Sequence, residues 1–204
     1  MSGKNNAREI AARMREEQAR IERRRRNAAW GAGIAAAVVV IAGLTWMGVR
    51  GQTAAAVAPI QGLHTFKSLA RDHVDSAVSY SQTPPVGGKH SPTWQNCGWY
   101  DAAVRSENAV HSLEHAAAWI TYRPSLSSQD KSTLKSALAG KAYVLASPFP
   151  GLSAPVVASA WGAQVKLTGV NDPRLAQFIK RFANSPNAPE PGGECTGGIG
   201  TPAN

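Results

Sequence analysis

Sulfur is scarce in this chain and unevenly placed. The only cysteines are Cys97 and Cys195, and the three methionines all lie at or before Met47. The distal part therefore has no thioether, which argues against a soft Cu(I)-carrier site. The sequence also has no G-x-S-x-G segment, no phosphate-binding glycine loop and no internal repeat. No motif in it dictates one reaction by itself.

Acidic residues are few: thirteen, against 22 Lys and Arg, which gives a formal net charge of +9. Residues 1–29 carry nine Lys and Arg against four Glu, whereas residues 51–204 carry twelve against nine acidic residues. More than half of the excess charge therefore lies in the first fifty residues. This distribution is typical of a cytoplasmic membrane flank and not of a nucleic-acid surface, so we expect no nucleic-acid partner.

The first fifty residues predict a membrane anchor. Residues 1–28 predict a basic amphipathic cytoplasmic helix, because Ile10, Met14 and Ile21 recur at helical spacing among Arg and Glu. Residues 29–49 are uncharged, and at ~1.5 Å per residue about twenty residues cover a ~30 Å hydrocarbon core. The preceding arginines keep the N-terminus inside. A cleaved signal peptide is the alternative, but its apolar region usually has ~7–15 residues. We predict one plasma-membrane span.

The rest of the chain predicts a linker over residues 50–60 and an extracytoplasmic domain over residues 61–204, with an irregular tail from residue 184. Helical patterns set among short strand patterns favour an α+β fold. The predicted elements are a short helix from Ser106 to Ala118, a strand at 119–122, a helix at 127–139 with Ser128 as N-cap, a strand at 142–146, a long strand or hairpin arm at 156–167 and a helix at 173–182.

The two cysteines both fall in the predicted extracytoplasmic domain. An oxidising exterior and an even count favour a disulfide. A bond between Cys97 and Cys195 closes a loop of about ninety-eight residues, which stabilises the fold by roughly 4.7 kcal/mol through loop-closure entropy. The alternative is that Cys97 acts as a metal ligand or nucleophile beside His90.

The histidines give the clearest indication of a site. His111 and His115 are four residues apart, so both rings lie on one face of a helix or of a strand. His90 lies on a loop rich in Gly and Pro that can bring a third imidazole. Three imidazoles with an open position suit zinc or copper. We therefore predict a non-catalytic metal-binding module with these three ligands, and with Glu114 as a fourth ligand or as an orienting partner.

Two other interpretations stay open. Histidines near Glu, Ser and Asn also occur in structural hydrogen-bond networks, and the domain is then an accessory or interaction subunit of a cell-envelope or membrane complex. The stretch His111–His115 also matches H-x-x-E-H, the pattern of zinc hydrolases in which two histidines bind zinc and Glu114 activates water. That pattern needs a further acidic ligand, and the sequence selects none.

A longer string of residues carries a family resemblance. It begins with Y-x-x-x-P-P-x-x-G-x-H from Tyr80, followed by W-x-N-C-G-x-Y and E-N-A-V-H-S-L-E-H-x-A-x-W-I-T-Y-R-P. The string resembles the domain-of-unknown-function family 3105, uncharacterised single-anchor membrane proteins found largely in actinobacteria. The resemblance covers roughly residues 61–198 and implies one folded domain, one anchor and an important histidine block, without an established activity. Lys89 and Ala116 depart from it, where Pro and Gly are expected.

Overall fold

Residues 13–18, 20–27, 30, 38 and 59–203 are described by the computed structural model. The chain divides into two compact units, residues 1–58 and 59–204. In the first unit, residues 13–18 and 20–27 are helical and exposed.

Most of the predicted membrane segment lies outside the residues that the structure describes. Of residues 29–49, only Trp30 and Val38 belong to the described part of the chain. Most of the predicted linker, residues 50–58, also lies outside it. Within the described ranges no helix is both long and apolar enough to cross a bilayer. The transmembrane helix stays a prediction.

Six strands form one mixed sheet in the second unit. They are β1 (Leu63–Thr65), β2 (Gly98–Trp99), β3 (Ala118–Tyr122), β4 (Val144–Pro148), β5 (Val156–Ala160) and β6 (Ala163–Leu167). Their order across the sheet is β1-β6-β5-β3-β4-β2. β4 pairs in parallel with β3 and β2, whereas β3–β5, β5–β6 and β6–β1 are antiparallel.

Three helices accompany this sheet: α1 (Ser106–Glu114), α2 (Ser128–Leu138) and α3 (Pro173–Phe182). α2 connects the parallel strands β3 and β4, as such a crossover requires. Helices combined with a mixed sheet confirm the α+β prediction.

Several element boundaries differ from the prediction: β3 begins one residue earlier, β4 lies two residues later, and three further differences have a clear local cause. The first helix ends at Glu114 and not at Ala118, because Ala116 adopts a left-handed backbone with φ of 71°. Ser127, one residue before the predicted cap, accepts a hydrogen bond from the backbone N–H of Asp130 and begins α2. The stretch 156–167 is a hairpin and not one strand, since it turns at Gly162, whose φ is 68°.

The sheet is covered on both faces. All five residues of β3 are buried; Ala118, Ile120 and Tyr122 lie in one apolar cluster, and Trp119 lies in another. Ile120 packs in the larger cluster, which contains Leu134 of α2 and Phe178 of α3. Trp119 points to the other face and packs with Leu113 of α1. α1 therefore lies across the sheet from the other two helices.

The buried helix α1 also carries polar residues that fix the neighbouring loop. Eight of its nine residues are buried. Its Asn108 side chain donates to the hydroxyl of Ser91 at 3.0 Å and to the carbonyl of Thr93 at 2.6 Å. Ser112 donates to the carbonyl of Gln95 at 2.7 Å. Buried polar groups need such partners, so the loop around residues 91–95 is held against the helix.

The disulfide prediction is confirmed: Cys97 and Cys195 are bonded. The alternative role of Cys97 as a ligand or nucleophile is wrong, because a disulfide sulfur offers no thiolate. Around this bond the irregular tail runs beside residues 94–99. The N–H of Cys97 donates to the carbonyl of Cys195 at 2.7 Å. The N–H of Ile199 donates to the carbonyl of Trp94 at 3.0 Å.

Candidate functional site: a histidine and carboxylate cluster

Four side chains converge beside the buried helix, and we call them the primary cluster: His73, His90, His111 and Glu114. One ligand atom from each lies within 4.8 Å of the others. α1 supplies His111 and Glu114, one helical turn apart. A parallel β-bridge joins the backbones of His73 and His90, in which the N–H of Val74 donates to the carbonyl of His90 at 2.7 Å.

The buried imidazole of His90 faces a carboxylate. Its Nδ1 lies 2.8 Å from the carbonyl oxygen of Gly88. A carbonyl only accepts hydrogen bonds, so Nδ1 carries the proton and a neutral ring has a lone pair on Nε2. That Nε2 lies 2.8 Å from an oxygen of Glu114, which is itself an acceptor. As a neutral ring, His90 makes no hydrogen bond through Nε2. Either a proton on Nε2 or a metal ion beside both atoms satisfies its contact with Glu114.

Glu114 is held from two sides. Its side chain is only 2% exposed, and Oε1 accepts a hydrogen bond from Nε of Arg71 at 2.7 Å. Oε2 faces the two loop histidines, at 2.8 Å from His90 Nε2 and 3.9 Å from His73 Nε2. The guanidinium of Arg71 therefore orients the carboxylate and leaves its second oxygen turned toward the imidazoles.

His111, like His90, has its Nδ1 against a backbone carbonyl. Its Nδ1 lies 2.6 Å from the carbonyl oxygen of Ser91, so Nδ1–H donates and Nε2 carries the lone pair. Burial lowers the pKa of His111, and positive charge on His115, His90 or His73 lowers it further, against the raising effect of the Ser91 carbonyl. The neutral ring is thereby favoured, and this is the form that binds a metal ion.

The predicted ligand set is divided between two groups. His115 lies outside the primary cluster and forms a second cluster with His111 and Glu190. Its Nε2 lies 3.0 Å from Nε2 of His111 and 3.5 Å from an oxygen of Glu190. His111 of α1 and His115 at its C-cap do meet on one face, as their spacing predicts, and His111 belongs to both clusters.

Aromatic rings enclose these histidines. Trp94 lies against both helix histidines, with centroid distances of 5.8 Å to His111 and 5.1 Å to His115. The exposed ring of His73 stacks on His111 at 4.9 Å, and Trp161 meets His90 edge-on at 5.8 Å. These contacts restrict how far the imidazoles can rotate and so help to keep the ligand atoms together.

Three residues of the site were missed by the sequence interpretation: Arg71, His73 and Glu190. His73 lies in a stretch whose pattern fits a strand and a short helix equally well, and Glu190 lies in the irregular tail. Both depend on long-range pairing, His73 through its bridge to His90 and Glu190 through its N–H, which donates to the carbonyl of Glu114 at 3.0 Å. The sequence contains no local signal for such contacts.

The H-x-x-E-H pattern at residues 111–115 does not place its glutamate as a hydrolase would. The stretch His111–His115 lies on α1 and its C-cap, so the required helix is present. However, the carboxylate of Glu114 is bonded to Arg71 and faces His90, and the residue is 1% exposed. A glutamate that activates water must face an open metal position. The surroundings of Glu114 fit a ligand better than a general base.

Fold and site together define a disulfide-bonded α+β domain with a buried histidine and carboxylate cluster. Residues 73–197 match the family described as "Protein of unknown function (DUF3105)", and the chain belongs to this family. The match confirms the resemblance found in the sequence, and it extends over all residues of both clusters. Comparisons with curated proteins and with solved structures give no match.

Proposed function

We propose that this domain binds one divalent transition-metal ion, zinc or copper, through the primary cluster. The ligands are Nε2 of His73, His90 and His111 together with a carboxylate oxygen of Glu114. The observation that carries the proposal is the convergence of three imidazoles on one carboxylate, with His90, His111 and Glu114 buried and His73 at the exposed side. With neutral rings, lone pairs and a carboxylate face one another here, and a bound metal ion would turn these groups into ligands.

The tautomers support the same function. In metal sites, a ligating histidine ordinarily donates its other ring N–H to a carbonyl or carboxylate, which fixes the ring and raises the basicity of the ligating nitrogen. His90 donates to Gly88 and His111 donates to Ser91 in this way. Arg71 plays the equivalent part for Glu114. The outer partners of a metal site are therefore present alongside the ligands.

The donor atoms favour zinc or copper over harder cations. Three imidazole nitrogens and one carboxylate oxygen suit the borderline metals, whereas calcium and magnesium prefer oxygen ligands alone. Both cysteines are in the disulfide, so the site has no sulfur ligand. Four ligands of this kind satisfy tetrahedral zinc.

We also propose that residues 29–49 anchor the protein in the plasma membrane and that the metal-binding domain lies outside the cytoplasm. The disulfide supports this location, since such bonds persist mainly in oxidising compartments. A fusion of alkaline phosphatase after Asn204 tests this location, because that enzyme folds only outside the cytoplasm. We expect active fusions in cells, and inactive ones would contradict the location.

Two exposed histidines make a matched pair for testing metal binding. His73 belongs to the primary cluster, whereas His64 lies on β1 and belongs to neither cluster. Neither side chain is buried, so replacing it with Ala leaves the core intact. The full chain, purified in detergent, is titrated with Zn²⁺ and with Cu²⁺ by calorimetry, and bound metal is counted by elemental analysis.

We expect one ion per wild-type chain and the same result for His64→Ala. For His73→Ala we expect affinity to fall by about tenfold or more, because loss of even an outer-shell partner costs on the order of 10- to 100-fold. Absence of binding by the wild-type protein would refute the proposal. Equal affinities of the two variants would remove His73 from the ligand set.

A further inference from the structure

The second cluster has ligand geometry of its own. One ligand atom each from His111, His115 and Glu190 lies within 4.8 Å of the others. The distances from His115 Nε2 are 3.0 Å to His111 Nε2 and 3.5 Å to Glu190 Oε2. Two imidazoles and one carboxylate are ligands that zinc and copper accept.

The tautomers again leave lone pairs facing each other. His111 donates Nδ1–H to the carbonyl of Ser91, and His115 donates Nδ1–H to the carbonyl of Glu194 at 2.7 Å. In their neutral forms both histidines therefore present only a lone pair at Nε2. At 3.0 Å the two Nε2 atoms can share a proton as a hydrogen bond or bind one metal ion together.

The two clusters share one ligand atom, Nε2 of His111. Its other ring nitrogen is already committed to Ser91, so His111 coordinates one ion at a time. We infer that His111, His115 and Glu190 form a second position for the same metal ion, and that the ion occupies one position or the other. This inference rests on the proposed function, because it assumes that the primary cluster binds metal.

The second position is suited to exchange of the ion. It offers three protein ligands and so leaves a coordination site open, which is the property of sites where ligands come and go. The Glu190 side chain is 48% exposed, whereas that of Glu114 is 2% exposed. Arg71 joins the two carboxylates, since Nη2 lies 3.5 Å from Glu190 and Nε lies 2.7 Å from Glu114. The ion passes between the positions by exchanging ligands around His111.

The test uses Zn²⁺ as the probe and the full chain in detergent. Glu114→Gln weakens the primary cluster, and Glu190→Gln is added to remove the second position. Glu194→Gln is the matched control, because Glu194 lies in the same tail and its backbone carbonyl still accepts from His115. Calorimetry gives affinity and stoichiometry, and the ¹⁵N resonance of His115 Nε2 reports direct coordination.

We expect the wild type to bind one Zn²⁺ per chain. Glu114→Gln should still bind one ion, more weakly, with the His115 Nε2 resonance shifted by the metal. Adding Glu190→Gln should weaken this residual binding by about tenfold or more, and adding Glu194→Gln should leave it unchanged.

Other outcomes separate this inference from the proposed function. No binding by the wild type overturns both. Wild-type binding with none left in Glu114→Gln overturns the second position alone, as does residual binding that ignores Glu190→Gln. Two ions bound at once by the wild type would overturn the shared-ligand argument.

Discussion

Gly193 lies directly against the imidazole of His115. A Cβ atom at residue 193 would come within 2.6 Å of Cγ of that ring, which real contacts do not allow. The tail can therefore pass His115 closely enough for the Glu194 carbonyl to accept its Nδ1–H only because residue 193 has no side chain. One missing side chain thus sets the tautomer of a ligand in the second cluster.

Gly193→Ala is predicted to disturb the second cluster and spare the primary one. The added methyl group pushes the tail away from His115, which separates Glu190 from the ring. In the Glu114→Gln background we expect Zn²⁺ affinity to fall by about tenfold, measured by calorimetry, with little change in the wild-type background. Gly169→Ala is the control, since a Cβ there has no contact within 4 Å. Equal effects of both substitutions would contradict the close-approach argument.

Glu114→Gln is predicted to separate metal affinity from stability. The amide keeps an oxygen for Arg71 and places an N–H donor toward the lone pair of His90 Nε2, so both contacts keep a hydrogen bond in the metal-free domain. Only the charge of the Arg71 ion pair is lost. Zn²⁺ affinity should fall by about tenfold or more, because a neutral amide replaces the one charged ligand. Calorimetry and thermal unfolding without metal measure the two effects.

The control for this variant is Glu107→Gln. Glu107 lies on the same buried helix, and its side chain accepts hydrogen bonds from Val78 and Arg105, which belong to neither cluster. The Glu107→Gln substitution should leave the affinity for Zn²⁺ unchanged. A Glu114→Gln protein that binds Zn²⁺ as tightly as the wild type would show that the carboxylate is not a ligand.

The disulfide is predicted to stabilise the folded domain. Cys97 and Cys195 are 98 residues apart in sequence, so their bond removes much loop-closure entropy from the unfolded chain. Replacing both with Ser should cost about 2–5 kcal/mol in the free energy of unfolding, measured with urea. A reducing agent should destabilise the wild type in the same way and leave the double variant unaffected. An unchanged free energy would contradict the prediction.

Asp172 is predicted to make stability depend on acidity. Its hydrogen bonds with Arg174 and Thr168 hold the pKa of this carboxyl well below its usual range, against the opposing effect of burial. The charged form is thus favoured in the folded state. Its contribution is present above the ordinary carboxyl pKa of ~3.9 and is lost as the pH falls through the lower, folded-state value.

Asp172→Asn tests this sign. The side chain is 4% exposed and caps α3 through the N–H of Arg174. We expect a loss of about 1–3 kcal/mol at pH 7, typical of hydrogen bonds to a charged group, and a smaller loss as the pH falls below ~4. Urea unfolding at pH 7 and pH 3 measures both. Asp130→Asn, in the first turn of α2, is the control, and a deficit independent of pH would contradict the linkage.

Local patterns were sufficient for much of the fold. The helix at 173–182 has the predicted boundaries, because Asp172 and Pro173 begin it and four apolar residues form one stripe. The end of the first helix was not predictable in the same way. Ala116 adopts a left-handed backbone there, and alanine gives no local signal for that conformation.

The order of the strands lay beyond such patterns. β3 contacts its next strand in sequence, β4, on one side and β5 on the other. The alternation of residues in β3 fits either β4 or β5 as a neighbour on either side. Only the packing of helices on both faces of the sheet selects the observed strand order.

The sequence by itself determined that His111 and His115 converge, since i,i+4 spacing acts through the helix alone. It favoured a bond between the two cysteines, which the structure confirms. Only the tertiary structure decided which other groups meet them. His73, Arg71 and Glu190 reach the histidines through pairings across tens of residues, and the tautomers follow from the carbonyls of Gly88, Ser91 and Glu194. The sequence shows which residue types can bind a metal ion. The direction of each histidine lone pair, however, depends on backbone carbonyls that the fold brings from elsewhere in the chain.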